Sequence, residues 1–72
     1  MRLLDQATVQ RVFAVTDDLE LSREAITVPL AFEGDGAVRR LPNGRYEITL
    51  PDRDDLGPFL ADLPGRLHPL GA

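Results

Sequence analysis

The densest run of chemistry-bearing side chains is Asp52-Arg53-Asp54-Asp55-Leu56-Gly57. Alternating carboxylates followed by a glycine suit a hard cation, and Asp52-x-Asp54-x-x-Gly57 invites comparison with a calcium loop. Such a loop also needs an oxygen ligand at its fifth position and a bidentate acid at its twelfth. Leu56 and Leu63 stand there. The acids are therefore read as a solvated run that caps the helix after it. Other chemistries lack their residues altogether. His68 is the only histidine, Ser22 is the only serine and has no G-x-S-x-G context, and cysteine and lysine are absent. A thiolate or histidine-based zinc site, a thiol nucleophile and a phosphate-cradling G-x-x-x-x-G-K loop thus lack the residues they need. Carboxylate pairs arise by chance among 12 acids in 72 residues, but so small a domain has little room for a pocket of several hundred Å³. The sequence predicts a protein that is not an enzyme, with no metal and no cofactor.

Arginine is the remaining candidate for chemistry. The stretch RRLPNGRYEITLP, residues 39–51, holds three arginines around Pro42-Asn43-Gly44. A three-residue loop suits this turn: Pro42 takes the first central position of a type I turn and Gly44 the left-handed position of a bulge. Leu41 then opposes Arg45. Val38, Tyr46, Ile48 and Leu50 fall on one face, with Arg40 beside Tyr46 at its margin. Arg39 faces Glu47 on the other side, an exposed cross-strand pair. Arg45 only flanks the turn. The competing reading gathers Arg39, Arg40, Arg45 and Arg53 into a basic patch for an anion or an acidic partner. The net charge of −4 argues against a dedicated nucleic-acid binder, whose affinity comes mainly from cations meeting phosphates.

Other elements must position these residues. Asp5 can cap a helix over residues 6–16, with Leu4 and Val9 as a hydrophobic staple. Val9, Val12, Phe13 and Thr16 mark one face, although Val12–Thr16 is also rich in strand formers. Ser22 can cap a single turn over Arg23, Glu24 and Ala25. LSREAI is a pattern that also opens helices of helix-turn-helix units, but Thr27-Val28-Pro29 cuts any helix short, so no recognition helix is expected. Ile26, Val28, Leu30 and Phe32 alternate along a strand over residues 26–33. Pro29, having no N–H to donate, places that strand at a sheet edge. Gly34-Asp35-Gly36 turns the chain into strands over 37–41 and 45–50. Leu56, Phe59, Leu60 and Leu63 define a helix over 55–63, with Pro58 in its first turn and Pro64-Gly65 ending it. Residues 64–72 read as an irregular tail.

The expected fold is one α+β domain over residues 1–72: an N-terminal helix, a three-stranded antiparallel β-meander and a C-terminal helix packed on one sheet face. Its expected core is Val9, Val12, Phe13, Ile26, Val28, Leu30, Phe32, Val38, Ile48, Leu50, Leu56, Phe59, Leu60 and Leu63. No run approaches the roughly 18 apolar residues of a membrane span, and MRLLDQATVQ lacks the apolar centre of an export signal, so a cytoplasmic location and no membrane contact are expected. A domain of this length holds roughly 4–7 kcal/mol of stability and, without disulfides, gains support from a partner chain. The functional expectation is a small non-enzymatic interaction or regulatory module, with a protein partner or a homodimer. Its contact would use the edge around Pro29 or the apolar tail residues Leu67 and Leu70. The alternatives are a nucleic-acid or anion binder using Arg40, Arg45 and Arg53, and a subunit or accessory of a larger enzyme.

Overall fold

The structure is a computed structural model that describes residues 2–71. It is α+β, with two helices, α1 (Gln6–Asp18) and α2 (Gly57–Leu67), and three strands, β1 (Ile26–Thr27), β2 (Ala37–Arg40) and β3 (Tyr46–Thr49). Single 3₁₀ turns occupy Arg23–Ala25 and His68–Leu70.

Helix α1 starts where its cap dictates. The Thr8 N–H donates to Asp5 Oδ1 at 2.8 Å, satisfying one of the orphan donors of the first turn. Side-chain and backbone hydrogen bonds from Thr8 hold the Asp5 carboxyl below its ordinary value. Helix prevails over strand at Val12–Thr16 because the four-residue step buries Val12 and Thr16 together. Thr16 satisfies its own hydroxyl by donating to the Phe13 carbonyl. The C-terminus closes in a Schellman arrangement: the Leu21 N–H reaches the Thr16 carbonyl, and the Glu20 N–H the Asp17 carbonyl, each at 3.0 Å. Glu20 thereby takes φ 62°, the left-handed conformation usually left to glycine. Ser22 caps the following turn, accepting from the Glu24 N–H.

The sheet departs from a meander. Its order is β1-β3-β2, with β1 parallel to β3 and β2 antiparallel to it. The expected long strand over 26–33 stops at Thr27, since Pro29 cannot continue the ladder. The chain then runs on beside the end of β3, where the Glu33 N–H meets the Leu50 carbonyl and the Asp52 N–H the Gly34 carbonyl, both at 2.9 Å. These bonds carry it past β3 before Gly34 and Gly36 turn it, so β2 enters on the far side. Gly36 has φ 77° and lies so close to Phe59, Pro51 and the Thr49 carbonyl that a Cβ there would sit 2.9 Å from each.

The hairpin has the expected register, with Val38 opposite Ile48, Arg39 opposite Glu47 and Arg40 opposite Tyr46. The Leu41 N–H donates to the Arg45 carbonyl and the Gly44 N–H to the Leu41 carbonyl, with Gly44 at φ 85°. The Asn43 carboxamide accepts the Arg45 N–H.

Helix α2 does not stop at Pro64-Gly65. It continues to Leu67 with Pro64 inside, and the expected irregular tail is helical through Leu70; Ala72 lies outside the described residues. The reason is burial: Leu67 extends the stripe of Leu56, Phe59, Leu60 and Leu63 and is fully covered. These residues pack with Val12, Ile26, Tyr46, Ile48 and Leu50 into one core. Tyr46 and Leu67 join the expected core, whereas Leu30, 65% exposed, and Val9, half-buried outside the cluster, leave it.

Candidate interaction surface

The segment before α1 is a strap along the outer margin of the sheet. Leu3 forms an isolated antiparallel bridge with Ala31. The Leu4 N–H donates to the Leu30 carbonyl at 2.6 Å and the Phe32 N–H to the Arg2 carbonyl at 3.0 Å. Those two bonds flank the Leu3–Ala31 pair, so Leu3 is a non-hydrogen-bonded position whose own N–H and C=O point away from its neighbour. Among the described residues neither group has a hydrogen-bond partner.

Arg2 locks the strap. Its guanidinium lies 4.1 Å from the centroid of the Phe32 ring. It reaches Asp54 at 2.9 Å, Asp52 at 3.3 Å and the Arg53 carbonyl at 2.6 Å. Leu3 and Leu30, one on each segment of this pairing, are the large hydrophobic residues left exposed among those described, at 61% and 65%. Beside Leu3 an open cleft of about 260 Å³ is walled by Phe32 and Leu56 and rimmed by Arg2, Arg11, Arg53, Asp5 and Asp54.

The residues singled out from sequence fall in three places. Pro29 is half-buried just after β1, which is indeed an edge strand. It therefore belongs to the margin that carries Leu30. Arg40 lies over the Tyr46 ring at 5.9 Å and donates to the Leu70 carbonyl, which also accepts the Tyr46 hydroxyl. Leu70 is half-buried and its carbonyl is occupied. Leu67 is fully buried, which corrects its expected role as an apolar contact: it is a core residue. Arg53 pairs with Asp35 at 2.9 Å and Arg39 with Glu47 at 2.8 Å. Of the four arginines expected to form a basic patch, only Arg45 has a guanidinium with no ion pair, hydrogen bond or ring partner among the described residues.

Sequence reasoning missed Arg2, Leu3 and Arg11. The one available signal was the pair Leu3-Leu4 before the cap at Asp5, of which only Leu4 was given a role.

A second hollow of about 430 Å³ lies on the outer sheet face, between Glu33, Gly36, Ala37, Arg39, Glu47 and Thr49. Its central charges, Arg39 and Glu47, already satisfy each other. The acids with displaced pKa values, Asp5 and Asp17, are both held down, by hydrogen bonds from Thr8 and from Arg23 respectively. They are charged caps and ion-pair partners, not proton donors. Among the described residues no three histidine or acidic side chains gather as a metal site would require, and no helix is long and apolar enough to cross a membrane. Comparison of the chain with protein-family models, with curated proteins and with solved structures produced no match.

Proposed function

We propose that this protein is a small non-enzymatic interaction or regulatory module of the cytoplasm, and that the strap margin carrying Leu3 and Leu30 is its contact surface. The observation that carries this reading is the exposure of two leucines, one on each segment of the same sheet margin. Elsewhere the fold covers its large apolar side chains well, so an uncovered pair beside an open backbone edge is the kind of feature a partner occupies. The anion-binding reading has less to rest on, because most of the arginines it needs hold acids or rings of the same chain.

The test is affinity capture from the native lysate with the protein and with a Leu3→Glu/Leu30→Glu variant. Both positions are solvent-facing, so the variant keeps its fold. A protein captured by the parent and lost by the variant supports this surface. Equal capture by both rules it out. Release of a nucleic acid by moderate salt, with the variant behaving like the parent, would instead support the arginine reading.

A further inference from the structure

We propose that two copies of this chain pair through the strap, with Leu3 of one copy antiparallel to Leu3 of the other. The inference rests on the contact surface named above and adds its occupant. Leu3 presents one outward donor and one outward acceptor on the same residue. A two-fold axis beside Leu3 satisfies both at once, each N–H meeting the other copy's C=O, and the assembly closes as a dimer. The same operation sets the exposed Leu3 side chains of the two copies next to each other on one face of the joined strands.

Charge favours a second copy as the occupant. The chain carries −4, so most faces would repel their equivalents. Around the strap, however, Arg2, Arg11 and Arg53 stand among Asp5, Asp52 and Asp54. With Asp35, which pairs with Arg53, the patch carries both signs in near balance, so a copy turned by half a revolution meets little net repulsion. The opposite margin of the sheet is guarded differently: β2 carries exposed Arg39 and Arg40 and ends before Pro42, devices that discourage edge pairing. The strap's edge has a leucine at its centre, and its arginine is turned onto Phe32.

Sedimentation equilibrium decides the matter. The expected result is a monomer–dimer equilibrium with a dissociation constant of order 10–100 µM, modest because the contact is small. It should move less than about threefold between low and high salt, since the charges of the patch nearly balance. Leu3→Glu/Leu30→Glu should weaken it by at least about 30-fold, and Ala61→Glu, on the exposed side of α2, should leave it unchanged. Exchange of the Leu3 amide should slow as the protein is concentrated. A monomer up to about 500 µM, or a dimer indifferent to Leu3 and Leu30, overturns the proposal. A monomer that still captures a foreign protein through Leu3 and Leu30 overturns only the second copy as occupant. A monomer that captures nothing overturns the contact surface as well.

Discussion

Individual residues show where this chain fits its backbone well and where it does not. Glu20 ends α1 in a conformation that costs a side-chain-bearing residue roughly 1 kcal/mol. Glu20→Gly should raise stability by about that amount, read as a melting temperature some 4–8 °C higher; no gain would mean that Glu20 makes compensating contacts in solution. Gly36 is the opposite case. With φ 77° and backbone and ring atoms 2.9 Å from any added Cβ, Gly36→Ala should cost at least about 2 kcal/mol. A melt unchanged by that substitution would contradict the tight approach of the turn to Phe59 and Pro51. Asp5 makes a prediction in pH. Its carboxyl is held below its ordinary value by Thr8, so its contribution is complete above the unfolded pKa near 4 and fades as pH falls through the lower folded one. The melting-temperature gap between the protein and Asp5→Ala should be open at pH 7 and narrow below about pH 4. A gap of constant width would show that the cap does not depend on its charge.

At the scale of elements, local chemistry was legible and distant pairing was not. Asp5, Ser22 and the Pro42-Asn43-Gly44 loop each specify their geometry within a few residues, so two helix starts and the hairpin register follow from sequence. The period-two run from Ile26 misleads because half of it pairs with the strap, about 28 positions away in the chain, and not with β2. The same long-range choice leaves Leu30 outside and makes the candidate surface invisible beforehand, apart from its edge at Pro29. Helix α2 overruns Pro64 for a related reason: burying Leu67 outweighs the hydrogen bond that proline forfeits. Because Pro64 is exposed and interior to the helix, Pro64→Ala should stabilise the protein by roughly 1–2 kcal/mol, net of the freedom it returns to the unfolded chain. A loss of stability would mean that the proline sets a bend the core requires.

Across the whole molecule the arginines follow the rings. The chain has three phenylalanines and one tyrosine, and each carries a guanidinium: Arg2 on Phe32, Arg23 on Phe13, Arg40 on Tyr46 and Arg66 on Phe59. Such contacts occur roughly once per 70–80 residues, so four here explain where the basic side chains are used better than a phosphate-binding patch does. The position of β3 has a kinetic consequence. It is the central strand, joined to β2 by a short loop but to β1 across about 20 positions. Loop-closure entropy makes the β2–β3 hairpin cheap to form early, and β1 and the strap must wait for it. Substitutions at Ile48 should therefore slow folding, whereas substitutions at Leu4 should chiefly speed unfolding; the reverse pattern in stopped-flow chevrons would discount this order. Assembly then runs from the middle of the chain outward, and the strap, last to dock, is the first part to come away.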